Sequence, residues 1–332
     1  AKKSSGSVKV TFTFDATSLK GKTTVVFEEL YQDEMQLAVH TDINDEDQTI
    51  YFPEIKTTAK DADTNSNISC AKEEITLVDT VSFKGLVPNQ KYEVTGTLID
   101  KETKKPVEAD GKPVTAKASF KPKESAGTVD VTFTFDASSL KGKTVVVFES
   151  LAYKDKEVAV HTDIADEGQT IYFPEIKTTA KDGSDGDQDV SASKEATIVD
   201  TVTYHGLMPG SEYKVIGTLM NKETGEALLK DGKPVTAQAE FKAEKAGGSV
   251  EVTFTFDASA LAGQDVVVFE KLYYTDGKTE HEIASHEDLD DKGQTIKLTE
   301  VPKDTPEPSK PVKTGDETTI LPYLLLAGAA LL

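Results

Sequence analysis

The sequence predicts an all-β chain of tandem immunoglobulin-like β-sandwich domains. Three observations carry this reading: short runs of period-two apolar alternation, frequent turn residues between them, and a repeat of 121 residues. In VKVTFTF, Val8, Val10, Phe12 and Phe14 alternate with Lys9, Thr11 and Thr13, the signature of a half-buried strand. The runs TVVFE, YEVTGTL and QTIYF are short and rich in β-branched or aromatic residues. Turn signals such as VPNQ, ADGK and LKGK separate the runs, and no long apolar stripe at helical spacing competes.

The repeat sets the domain organisation. The segment from Val8 returns from Val129 and again from Val250, each step 121 residues. HTDINDEDQTIYFPEIKTTAKD from His40 returns from His161 with two changes in 22 positions. Its third copy arrives four residues late, after an insertion near TDGKTEHEIAS. The segment VDTV occurs at Val78 and Val199 only, so the chain is expected to start inside a domain. A unit of this length is an autonomous domain, not a solenoid turn. The expected division is a truncated unit over 1–56, complete domains over 57–177 and 178–300, and a proline-rich linker over 301–319. Residues 320–332 read as a truncated hydrophobic anchor, shorter than the roughly 20 residues a spanning helix needs.

Composition excludes several function classes. The 332 residues hold 37 Lys and Arg against 58 Asp and Glu, a net charge of −21 that argues against nucleic-acid binding. A single cysteine, Cys70, forms no internal disulfide and no cysteine-based metal site. HEIASH from His281 spaces its histidines one residue too far for a zincin helix, and DINDED from Asp42 lacks the glycine and glutamate of a calcium loop. No cofactor and no metal are expected.

At the other end, the proline-rich spacer, PVKTGD and the apolar run resemble a Gram-positive sortase sorting signal. The resemblance implies cleavage between Thr314 and Gly315, with sortase and peptidoglycan as partners and the membrane met only through a transient anchor. Pro311 and Val312 stand where the usual signal has Leu and Pro, and no basic tail follows.

Polar residues recur at fixed slots in the copies. Glu28, Glu149 and Glu270 sit in VVFE on the face of apolar neighbours two residues away, where a carboxyl is expected to stay protonated. Gln48, Gln169 and Gln294 share a face with apolar residues, and an inward amide without partners costs about 1–3 kcal/mol. Eight residues before each glutamine stands His40, His161 or His286, an offset that survives the insertion. Thr80 and Thr201 lie in VDTV, although alternation does not place them on the more apolar face. Together, a hydroxyl, an amide, an imidazole and a neutral carboxyl suit acyl transfer. The Thr oxygen attacks the Gln carbonyl carbon, His takes the proton, and the acid polarises the amide oxygen.

VVFE, the His-to-Gln spacing and the paired DTV resemble the VaFE-repeat, Thr–Gln ester-bond domains of Gram-positive surface adhesins, over nearly all of residues 1–300. The resemblance implies a Thr80–Gln169 ester assisted by His161 and Glu149, and a Thr201–Gln294 ester assisted by His286 and Glu270. The family's assisting Asp maps best onto Asp110 and Asp231, with Asp100 a competitor whose counterpart is Asn221. Gln48, His40 and Glu28 form an orphan half-site. The implied protein is an extracellular, cell-wall-anchored adhesin stalk whose complete domains each cross-link themselves in a single turnover and which is no enzyme, its host ligand bound by a tip domain elsewhere. Two alternatives stay open: an isopeptide-linked stalk using Lys72 and Lys194, and a host glycan- or protein-binding module without cross-links.

Overall fold

The computed structural model describes residues 3–301, and within them the chain is all-β with a few short 3-10 turns. Most of the proline-rich linker, the apolar terminus, and the expected cleavage pair Thr314 and Gly315 lie outside the described residues. Among the described residues no helix is long and apolar enough to cross a membrane.

The middle repeat is a two-sheet sandwich. One sheet orders Gly127–Phe135, Ile75–Lys84 and Glu54–Asp61 side by side, all antiparallel. The other orders Thr115–Phe120, Tyr92–Asp100, Thr144–Tyr153 and Lys156–His161, with Thr170–Tyr172 also pairing onto Thr144–Tyr153. Ile55, Leu77, Val81, Val131 and Phe133 from the first sheet pack with Val94, Leu98, Val145, Val147 and Leu151 from the second. The last repeat builds the same sandwich. Glu175–Asp182, Ala196–His205 and Gly248–Phe256 form one sheet, and Asp265–Thr275 lies at the centre of the other. The strands that open these repeats begin at Glu54 and Glu175, ahead of the expected boundaries at 57 and 178.

Strand alternation decides which polar residues enter the core. In Ile75–Lys84 the inward set is Ile75, Leu77, Asp79, Val81 and Phe83, so Thr80 belongs to the opposite face. In Glu54–Asp61 the inward set is Ile55, Thr57, Ala59 and Asp61. Ala59 lies opposite Asp79 in the ladder and Thr57 opposite Val81, which makes Thr57 and Asp79 diagonal neighbours on one face.

The first repeat is built differently from the expectation. Val8 to Phe14 form no strand, and Val8 and Phe12 are 85% and 58% exposed. The equivalent Gly127–Phe135 pairs with Ile75–Lys84, and residues 3–52 contain no counterpart to that partner. What does form is local: the hairpin of Glu28–Gln32 with Met35–His40, and the pairing of Thr23–Val25 with Thr49–Tyr51.

Candidate functional site

Each complete repeat buries two carboxyls, a glutamine and a threonine hydroxyl between its sheets. In the middle repeat these are Asp79, Glu149, Gln169 and Thr57, and in the last Asp200, Glu270, Gln294 and Thr178, all buried. The opening strand brings the threonine and the second strand brings the aspartate. The VVFE strand brings the glutamate, and a 3-10 turn ending at Gln169 brings the amide.

Why the glutamate faces inward is visible across the ladder. Glu149 lies opposite Gly96, and a methyl group on Gly96 would sit 2.5 Å from Cζ of the Phe133 ring. Gly217 and Phe254 repeat this arrangement opposite Glu270. The ring fills the room that a side chain at the glycine would take.

The contacts join nucleophile, acid and electrophile. Thr57 Oγ1 donates to Glu149 Oε2 at 3.1 Å, and Gln169 Nε2 donates to Asp79 Oδ1 at 3.2 Å. In the last repeat Glu270 Oε2 accepts both Thr178 Oγ1 and Gln294 Nε2, each at 3.1 Å, and Asp200 Oδ1 lies 3.4 Å from the same amide nitrogen. Gln169 Oε1 and Gln294 Oε1 are buried without a protein donor. The backbone closes the geometry too, since Ala180 N–H on the opening strand donates to Gly293 C=O in the glutamine turn at 2.9 Å.

Burial raises Glu149 well above the usual carboxylate range, and the contact with Asp79 pushes it further up. Burial raises Asp79 as well, against hydrogen bonds from Glu149 and Gln169 that favour its charged form. Glu270 and Asp200 behave in the same way. The pair therefore holds one proton at neutral pH, with Glu149 or Glu270 as its seat. The folded chain keeps a proton that the unfolded chain releases above about pH 4.3. That stabilisation is full below this value and is lost as pH rises through the raised folded value. A Gln169→Ala/Gln294→Ala chain, which has no acyl donor, is expected to melt about 5–10 °C lower near pH 9 than near pH 5. Adding Glu149→Gln and Glu270→Gln should flatten that dependence, as circular dichroism melts across the pH series would register.

The third group is the histidine. His161 lies opposite Glu149 in the hairpin and lines the same surface crevice as Thr57; His286, Glu270 and Thr178 repeat the relation. Its Nε2 lies 2.8 Å from Asp166 Oδ2, a partner that the sequence reading did not single out.

Several sequence expectations change place. Thr80 is not at the site: its hydroxyl donates to Asp130 at 2.8 Å on the outer face, and Thr201 occupies the same outward position in its strand. The inward threonines are Thr57 and Thr178, in the repeated KTTAKD. Asp110 and Asp231 are exposed hairpin-turn residues with φ of 51° and 53°, chosen for a left-handed turn before glycine. Asp100, the competitor, accepts the Glu102 and Thr103 backbone N–H groups as a turn cap. The aspartates buried beside the glutamate and glutamine are instead Asp79 and Asp200, each directly before Thr80 or Thr201 in the chain. Glu149, His161, Gln169, Glu270, His286 and Gln294 do come together. The amide faces the carboxyls with its nitrogen, not its oxygen as expected, and the hydroxyl rests on the glutamate, not on the histidine. In the first repeat Glu28 pairs opposite His40 while Gln48 ends the equivalent turn, without a threonine or aspartate from preceding strands among the described residues. Lys72 makes an exposed ion pair with Asp63 and Lys194 is exposed, so neither isopeptide candidate enters a core.

Comparison with known proteins places three matches end to end. The profile of the T-Q ester bond containing domain matches residues 1–52, 53–173 and 174–298. An adhesin from Mobiluncus mulieris containing intramolecular disulfide, isopeptide and ester bond cross-links is 14% identical, with a TM-score of 0.33 over 66% of this chain and 80% of that one. The C-terminal domain of the Streptococcus agalactiae AgI/II polypeptide BspA is 10% identical, with a TM-score of 0.32 over 70% of this chain and 98% of that one. No curated protein matches.

Proposed function

Because the chain belongs to the family of T-Q ester bond containing domains, we propose that each complete repeat welds its opening strand to its closing turn through a Thr–Gln ester. The bonds are Thr57–Gln169 and Thr178–Gln294. The observation that carries this is the pair of 3.1 Å hydrogen bonds that bring the Thr178 hydroxyl and the Gln294 amide onto one oxygen of Glu270.

In this reading the hydroxyl is held by the glutamate and attacks the Gln Cδ. The hydroxyl proton passes to the His161 or His286 ring, because a neutral carboxyl is the weaker base. The carboxyl pair gives its shared proton to the amide nitrogen as the C–N bond breaks, and ammonia leaves. The imidazolium then returns a proton to the pair, so the site ends with the protons it began with minus those carried off in ammonia. Holding the groups in contact supplies what an unactivated amide lacks, an effective-molarity advantage of about 7–11 kcal/mol. The reaction runs once per site and acts on the chain itself.

The purpose we propose is mechanical, in the stalk of an extracellular adhesin anchored to the cell wall through the terminal sorting-like segment. Each ester joins residues only a few positions from the ends of its repeat, so tension bypasses the sandwich through covalent bonds. Single-molecule pulling on the whole chain should show no unfolding step from either complete repeat. Gln169→Ala should restore one step of roughly 400 Å, the length of some 120 extended residues. A similar step in the unsubstituted chain would contradict the mechanical reading.

A further inference from the structure

The histidine of each site is held by an aspartate five residues later. His161 Nε2 meets Asp166 Oδ2 at 2.8 Å, His286 meets Asp291 at 2.8 Å, and His40 meets Asp45 at 2.7 Å. The insertion in the last repeat leaves this spacing untouched.

The same aspartate also holds the glutamine. Asp166 Oδ1 accepts the Gly168 N–H at 2.8 Å, capping the 3-10 turn that ends at Gln169, and its carbonyl accepts the Thr170 hydroxyl at 2.7 Å. Asp291 does this with Gly293 and Thr295 at 2.6 and 2.8 Å. Lys101 and Lys222 reach the same threonine hydroxyls at 3.2 and 2.9 Å, bracing the turn from the neighbouring loop. Asp45 forms the full set with His40, Asp47, Gln48 and Thr49, although its repeat lacks the opening strands. The assembly is therefore local and forms without a finished core.

We propose that Asp166 and Asp291 are positioning residues that set the imidazole and the glutamine against each other. This rests on the ester reading above. An ionised carboxylate only accepts, so Nε2 carries the ring proton and Nδ1 remains as the basic atom. Burial opposes ionisation of Asp291, but hydrogen bonds from His286 and the Gly293 N–H outweigh it and hold its carboxyl below the usual range.

The test separates capping from orientation. Asp166→Asn keeps an oxygen for the Gly168 N–H but turns a donor toward Nε2, and Asp166→Ser keeps only the cap. In either variant the middle ester is expected to form at least about 100-fold more slowly, followed by intact mass over time. The untouched last repeat should still lose its ammonia as an internal control. In a Gln169→Ala background, where no ester forms, Asp166→Asn should leave the melting temperature nearly unchanged. It should also move the His161 ring proton from Nε2 to Nδ1 in imidazole 15N spectra. An unmoved ring proton, or full ammonia loss in both variants at the first time point, would overturn the inference and leave the ester reading intact. An unsubstituted chain that loses no ammonia would instead overturn the ester reading itself.

Discussion

The intact mass of the chain is expected to lie two ammonia molecules below its sequence mass, and Thr57→Ala is expected to recover one of them. Thr57→Ala/Thr178→Ala should recover both. Thr80→Ala and Thr201→Ala should recover neither, because Thr80 donates to Asp130 on the outer face and Thr201 points the same way. The effect is all-or-none, since a buried Gln without its threonine has only carboxyl groups, and no hydroxyl, among its hydrogen-bonded neighbours. Gln48 contributes no third loss: its repeat brings His40, Glu28 and Asp45 but neither a threonine nor an aspartate from opening strands among the described residues. Recovery of mass on replacing Thr80, with none on replacing Thr57, would return the assignment to the outward threonines.

The second large effect is on stability. Residues 57 and 169 enclose a loop of about 110 residues, and closing one that long stabilises by about 5 kcal/mol on the disulfide analogy. For a domain of this size that corresponds to roughly 15–25 °C in melting temperature. Gln169→Ala/Gln294→Ala should therefore melt that much lower than the unsubstituted chain at neutral pH. Thr80→Ala/Thr201→Ala, which removes one exposed side-chain hydrogen bond, should melt within about 3 °C of it. Equal melting of the glutamine variant and the unsubstituted chain would mean that no loop had been closed.

Much of the fold was legible because strand chemistry is local. Alternation in VTFTF and the repeated turn residues marked strands that the middle and last repeats contain, while Val8 to Phe14 needed a partner strand that no local pattern can supply. The glutamates, glutamines and histidines were legible because each sits in a repeated segment with its face written in its neighbours. The threonine and aspartate of the site differ from those the family resemblance implies, and strand alternation gives the reason. In LVDTV the residue in phase with Leu77 and Val81 is Asp79, so the face rule already pointed to the acid and away from Thr80. In EIKTTAKD the same rule marks Thr57, between Ile55 and Ala59. The His161–Asp166 contact was harder to read, because it depends on a 3-10 turn folding the aspartate back over the hairpin.

Tryptic peptide mapping tests the central claim most directly. Cleavage after lysine places Thr57 in peptide 57–60, Thr80 in 73–84 and Gln169 in 157–177; Thr178 falls in 178–181, Thr201 in 195–214 and Gln294 in 293–297. The expected products are 57–60 joined to 157–177 and 178–181 joined to 293–297, each lighter by one ammonia and each released by hydroxylamine. Peptides 157–177 and 293–297 recovered at full mass and unlinked, or joined to 73–84 and 195–214, would contradict it.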